Sequence, residues 1–261
     1  MAKSKNIFVC IGAIHHDYLL NLKKNIIKYR TNPINNNTKI GGVAYNVAKI
    51  ISVFEKVQLY SLKINNELKK SLNNKISLKN INNDMSNRYY IALSDKNNKF
   101  ILGLANTNVY EDKKNLNIPK IKNKIIIFDL NFSKNFIENA IKKLSAKNKI
   151  IVCATSVHKI EKINRILEYI DILFVNKSEL IQLTNTKDIK KGIKNIQSKN
   201  NNIKIISTNS KNNVIYANNK ILLKIKPPKT EIKNENGAGD ALAGMMIYLL
   251  SKKYTEKDIL K

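Results

Sequence analysis

Residues 236–240 read Asn-Gly-Ala-Gly-Asp, in a chain that has only eight glycines in 261 residues. Three of the eight fall between Asn234 and Gly244, and two more are adjacent at Gly41 and Gly42. A chain this poor in glycine concentrates it where bare backbone is needed. Small residues at a helix start leave consecutive N–H groups pointing outward, and the helix dipole adds positive potential. Gly237, Ala238 and Gly239 therefore predict an anion hole. Asp240 follows directly and is placed to take a proton from a hydroxyl attacking beside a phosphate. The plainer alternative is a capped helix over 241–250 whose small residues serve close packing.

Three further groups fall where strands of an α/β sheet should end, and in such sheets ligands bind outside the carboxyl ends of the strands. Asp17 lies just beyond the first apolar run and can accept hydrogen bonds from two adjacent sugar hydroxyls; alone it reads as a turn residue. Gly41 and Gly42 let a polyol lie against backbone, and Asn46, about one helical turn on, can bond a hydroxyl; the alternative is a tight helix start. Asn176 and Glu179 follow the apolar run 172–175, with the amide and the carboxylate on one face of a first helical turn. Glu179 there could hold Mg²⁺ through water, although an N-terminal capping box explains the same spacing.

The elements that must carry these residues follow from the apolar periodicity. Strands are expected over 7–14, 57–62, 125–130, 150–154, 172–175 and 203–207. Helices are expected over 43–54, 134–147 and 160–168, from Glu179 onward and over 241–250. Their alternation implies an α/β fold, three layers (α/β/α) around a mostly parallel central sheet. Residues 65–84 read as a lysine- and asparagine-rich helix or loop. Two hairpins are expected, 89–104 and 214–225. The 89–104 hairpin and the polar segment 18–40 fall outside the alternation and are expected to pair as a small β lid. One domain over 1–261, with lid segments about 18–40 and 86–108, accounts for the whole pattern.

Composition narrows the function. Hydrophobic residues make up 43% of the chain, enough for the core of one domain. Cys10 and Cys153 each sit in an apolar run and read as buried, reduced thiols of a cytoplasmic protein. The first residues read as a strand, not a signal peptide, and no run approaches the ~18 apolar residues of a membrane span. The formal net charge of +28 would ordinarily point to nucleic acid. Only three of the 47 basic residues are arginine, however: Arg30, Arg88 and Arg165. Arginine is the preferred reader of phosphates and base edges, and the lysines are dispersed among asparagine and isoleucine, as A/T-rich codons alone would give. The charge is therefore read as drawing in small anions non-specifically, with no specific nucleic-acid or membrane partner.

Together the four groups resemble the ribokinase-like (PfkB-type) carbohydrate and nucleoside kinase family, over most of the chain from Phe8 to about Leu250. The resemblance implies an α/β/α domain with a β lid that transfers the γ-phosphoryl of ATP to a primary hydroxyl. It implies that Asp240 is the catalytic base and that the amides of Gly237, Ala238 and Gly239 form the phosphoryl anion hole. Asp17, Gly41, Gly42 and Asn46 would hold a ribose-like substrate. Asn176, Thr208, Gly237 and Gly239 would contact ATP, with Glu179 at Mg²⁺ and a monovalent cation near the glycine turn. A homodimer through the lid is a further expectation. Within the family, Tyr90–Leu93 with Phe100–Leu104, Phe128–Ser133 and Thr155–Lys159 are similar to segments of pseudouridine kinases, so pseudouridine is the expected substrate.

Several positions depart from the family pattern. Asn234, Glu235 and Asn236 replace a threonine-containing triplet before the glycine turn. Residues 61–65 replace a Gly-Asp-Asp-type stretch. Thr208-Asn209-Ser210-Lys211 lacks the glycine of a Thr-x-Gly nucleotide loop, which is expected to crowd ATP. About twenty residues follow Asp240, where family members continue through further adenine-pocket elements. The rival readings are a degenerate relative that binds a nucleoside or sugar without phosphorylating it, another sugar kinase, or a basic nucleic-acid-binding protein.

Overall fold

The computed structural model describes residues 7–210, 212–228 and 237–259. In chain order its elements are β1 (Phe8–Ile11), β2 (His15–Leu22), β3 (Ile34–Gly41), α1 (Val43–Ser52), β4 (Val57–Leu62), α2 (Asn66–Lys70), β5 (Ile76–Asn82), β6 (Tyr89–Ser94), β7 (Phe100–Asn106), α3 (Val109–Asp112), β8 (Ile125–Asp129), α4 (Lys134–Ser145) and β9 (Lys149–Cys153). Two 3₁₀ turns follow, Ile160–Ile163 and Leu167–Tyr169, and then β10 (Ile172–Asn176), α5 (Lys177–Thr184), α6 (Ile189–Lys199), β11 (Lys204–Thr208), β12 (Val214–Ala217), β13 (Leu222–Ile225), α7 (Ala238–Ser251) and α8 (Glu256–Ile259).

The main sheet has nine strands in the order β13-β12-β11-β10-β9-β8-β1-β4-β5, all running the same way except β12, which pairs antiparallel with both β11 and β13. Successive side chains of a strand point to opposite faces, and both faces are buried here. Val9 and Ile11 enter one apolar cluster with residues of α4, α5 and α6, whereas Phe8 and Cys10 enter the other with residues of α1 and α7. This is the expected three-layer α/β/α fold. Both cysteines are free and buried, Cys153 also on the α1–α7 side. No described helix is long and apolar enough to cross a membrane.

β3, β2, β6 and β7 form a separate four-stranded sheet in that order. The polar segment and the hairpin therefore do pair, through the parallel contact of β2 with β6. Three expectations need correction. The segment 65–84 holds a one-turn helix, α2, and then a strand, β5, whose Ile76 and Ile81 are buried at the sheet edge among exposed polar residues. The expected helix over 160–168 is two 3₁₀ turns. The helix from Glu179 is short, because Asn185 turns into the left-handed region at φ 51° and α6 starts afresh beyond it.

Helix starts divide into two kinds. Ser133, Asn176 and Asp188 cap α4, α5 and α6 with their side chains, each cap stabilising by about 1 kcal/mol. The helices α1 and α7 begin at Gly42 and Gly237, with no side-chain cap. These two openings are the two glycine motifs.

Candidate active site

The two helix starts that open on glycine come together. Helices α1 and α7 pack closely because Gly244 has no Cβ; one there would sit 2.7 Å from Ile50 Cβ. At their N-terminal ends Asn46 Nδ2 donates to Asp240 Oδ2 at 2.8 Å. Gly237 holds φ 80°, a left-handed conformation that disfavours other residues. A Cβ on Gly239 would meet nothing within 4 Å. Gly244 thus follows the close-packing reading, while Gly239 borders open space.

The residues expected to hold a sugar converge from the four-stranded sheet and the start of α1. Asp17 on β2 lies against Gly41 on β3: a Cβ on Gly41 would stand 2.1 Å from the carboxylate. His15 Nδ1 approaches Asp17 Oδ1 at 3.0 Å. Gly42, at φ 105°, lets the chain pass Ala13, whose carbonyl oxygen a Cβ would approach to 2.3 Å. Asp17, Gly41, Gly42, Asn46, Gly237 and Asp240 are therefore gathered where β1, β2, β3, α1 and α7 meet.

Asp240 is pushed up to about 6, first by burial and then by the charges of Asp129 and Asp17, against the opposing hydrogen bond from Asn46. A carboxylate poised near neutrality can accept a proton and release it again. Burial and the Asp240 charge also raise the Cys153 thiol well above its usual range, so it stays protonated beneath the site.

The third group lies farther along the strand ends. Asn176 and Glu179 do form a capping box: Asn176 Oδ1 accepts from the Glu179 amide at 2.9 Å, and Glu179 Oε2 accepts from the Asn176 amide at 2.7 Å. Glu179 is 3% exposed. Burial, followed by the Asp240 charge, pushes it up to about 7, against the Asn176 amide bond. Thr208 stands beside Asn176 in register at the end of β11. Beyond it opens a cleft of about 230 Å³ lined by residues that include Ser207, Asn209, Asn212, Asn213 and Lys224. Ser210 takes φ 48°, so the loop keeps a left-handed turn where the sequence lacks glycine. Asn234, Glu235, Asn236 and Lys211 lie outside the described residues. No cluster of three or more His, Cys, Asp or Glu able to hold a metal occurs among the described residues.

Sequence reasoning missed two buried polar centres beside the site. Arg88, 4% exposed, donates to the carbonyls of Ile14, Leu62, Lys63 and Ser86 and to Tyr110 Oη. It ties the loops after β1 and β4 together. Asp129, fully buried, accepts from the amides of Ala13, Ala44 and Asn131. Asn131 Oδ1 in turn receives Lys159 Nζ at 2.9 Å, so two motifs quoted separately from the sequence touch. For Asp129 the available signal was an acid in an apolar run, where an ionised group must find partners; Arg88, preceded by Asp84, Ser86 and Asn87, carried no such signal.

Residues 8–261 match the family model described as pfkB family carbohydrate kinase. No curated protein matches the chain significantly. Among solved structures the chain is similar to a carbohydrate kinase from Agrobacterium tumefaciens, with TM-score 0.73 and 18% identity over 97% of this chain and 86% of that one. It is similar to ribokinase from Cryptococcus neoformans var. grubii serotype A in complex with ADP, with TM-score 0.77 and 13% identity over 99% and 91%. It is also similar to Anopheles gambiae adenosine kinase in complex with P1,P4-di(adenosine-5) tetraphosphate, with TM-score 0.81 and 15% identity over 99% and 93%. At these identities the likeness shows the fold.

Proposed function

The chain belongs to the pfkB family of carbohydrate kinases, and from that premise we propose that it transfers the γ-phosphoryl of ATP to a primary hydroxyl of a ribonucleoside or sugar, with pseudouridine as the first substrate to test. The observation that carries the reading is the Asn46–Asp240 pair at the open start of α7. Asp17, Gly41 and Gly42 would hold the sugar hydroxyls on the lid side, leaving the primary hydroxyl toward Asp240. Asp240 takes the hydroxyl proton as the new O–P bond forms and the bond from the γ-phosphorus to the bridging oxygen of ADP breaks. The amides of Gly237, Ala238 and Gly239 receive the charge of the transferred group, a preorganised arrangement worth roughly 10²–10³ in rate per donor. ATP would extend past Asn176 and Thr208 toward the cleft beyond β11.

The residues present fit Mg²⁺. The ionised form of Glu179 is disfavoured first by burial and then by the Asp240 charge, and a cation would favour it. Mg²⁺ retains most of its water, so one carboxylate acting through water is a sufficient protein ligand. When bound, the ion would neutralise charge on the phosphate oxygens.

Pseudouridine rests on the lid hairpin and on the Asn131–Lys159 contact, which joins the two segments similar to pseudouridine kinases. ADP release measured with Mg²⁺ over pseudouridine, uridine, adenosine, ribose and fructose tests it. Preferred turnover of pseudouridine is expected, and preference for another member would reassign the substrate while leaving the kinase intact. The lid also supports a homodimer: Phe100, Ile101, Leu102 and Leu104 of β7 are exposed, and an apolar edge strand is a pairing surface.

A further inference from the structure

We propose that Asp129 is a positioning residue for phosphoryl transfer: its buried carboxylate locks the end of β1 to the first turn of α1 and so sets where Asn46 and Asp240 stand. The proposal rests on the kinase reading above and adds a residue on which that reading makes no demand.

The geometry is specific. Asp129 Oδ2 accepts from the Ala13 amide at 2.8 Å, the Ala44 amide at 3.1 Å and Asn131 Nδ2 at 2.9 Å, while Oδ1 accepts from the Asn131 amide at 3.0 Å. Ala44 is the second residue of α1. Its amide is one that an N-cap side chain would ordinarily satisfy, and the cap of α1, Gly42, has no side chain. Asp129 is therefore a cap supplied from another strand, 85 residues away. The backbone is shaped around it: a Cβ on Gly12 would lie 2.3–2.5 Å from the carboxylate atoms. Such an arrangement lets Gly42 stay bare for a ligand while α1 is still capped. Asn46 follows Ala44 on the same helix, and through it the lock reaches Asp240. Lys159 Nζ closes the network on Asn131 Oδ1, with Glu111 Oε1 at 3.6 Å from that nitrogen.

Asp129 also acts on Asp240 through its charge. The groups bearing on Asp240 are Asp129 from β8, Asp17 from β2, Glu179 from α5, the Cys153 thiol from β9 and the Asn46 amide from α1. The Asp129 and Asp17 charges hold Asp240 protonated to higher pH. Removing the Asp129 charge must therefore lower the pH at which Asp240 ionises. That shift reads the Asp129 charge, whereas exchange at the Ala44 amide reads the lock itself.

The test compares the wild-type protein with Asp129→Asn and Gly12→Ala. Expected for Asp129→Asn are a cooperative melt, faster hydrogen exchange at the Ala44 amide, an Asp240 carboxyl resonance that titrates at lower pH, and kcat/KM down about a hundredfold, the scale of a misplacement near 1 Å. Gly12→Ala displaces the carboxylate from the other side and is expected to reproduce the faster exchange and the loss of kcat/KM. Unchanged exchange at the Ala44 amide in folded Asp129→Asn would overturn the assignment. So would kcat/KM within twofold of wild type, or the failure of both variants to fold, which would make Asp129 a strut of the fold. A wild-type protein that transfers no phosphoryl group would overturn the kinase reading alone. The titration and the exchange need no turnover and would still decide the role of Asp129.

Discussion

Asn46 and Asp240 are 194 residues apart in sequence, and their side chains share a hydrogen bond of 2.8 Å. It joins α1 to α7 at the end where each helix begins at a glycine that has no side chain of its own to cap it. The bond favours the ionised form of Asp240 and so works against the burial that raises it to about 6. An account in which Asp240 is the base requires kcat/KM to fall as pH drops through about 6. In Asn46→Ala the ionised form loses its donor, so the acid limb should move to higher pH, with the fold-loss of rate largest on the acid side and partly recovered in alkali. A pH–rate profile checks this, and a limb that moves the other way contradicts it.

Gly237 at the N-cap of α7 and Gly239 and Gly244 within it separate chemistry from packing. Gly239→Ala places a methyl in open space; it should leave the melting temperature unchanged or raise it, by up to about 1 kcal/mol of stability, while the methyl intrudes where the phosphoryl group would sit and kcat/KM falls about a hundredfold, the scale of a misplacement near 1 Å. Gly244→Ala drives a methyl into Ile50; it should lower stability by about 1–3 kcal/mol and largely keep the kcat of the folded protein. Gly237→Ala should lose both stability and rate, because its φ of 80° is costly for alanine. Melting curves and initial rates on the three variants distinguish these patterns.

How much of this was legible in the sequence depended on distance along the chain. The parallel core strands were legible because each is a short apolar run bounded by polar residues. The lid was legible because two segments broke the alternation. β5 was not, because Ile76, Leu78 and Ile81 are spaced among lysine and asparagine, and the edge position that buries part of them is a property of the assembled sheet. The glycine turn could be read locally, whereas the Asp129 lock could not. Its donors Ala13 and Ala44 lie 116 and 85 residues away and show no side-chain chemistry of their own.

Glu179 holds a charge that the fold resists. Its carboxyl is raised to about 7 in the folded protein against about 4.3 unfolded. The stability tied to its protonated form is present below the unfolded value and is lost as pH rises through about 7. Glu179→Gln keeps an acceptor for the Asn176 amide and removes the charge. It should raise the melting temperature at pH 8, by about 1–3 kcal/mol of stability, lose that advantage by pH 4 and lower Mg²⁺-dependent turnover. Melting curves at the two pH values, with turnover at pH 8, provide the check.

The exposed apolar residues of β7 predict a dimer in solution. Leu102→Lys with Leu104→Lys should convert it to a folded monomer, read by light scattering. A wild-type protein that is monomeric at all working concentrations contradicts the lid as a pairing surface.

The most direct measurement is phosphoryl transfer from ATP by the wild-type protein and by Asp240→Ala, on whichever member of the substrate panel turns over, with substrate binding followed separately. The account predicts a loss of kcat on the order of 10²–10⁴ with binding of the nucleoside or sugar retained. Transfer undiminished in Asp240→Ala would contradict the assignment of Asp240 as the base. Binding without transfer by the wild-type protein would contradict catalysis itself.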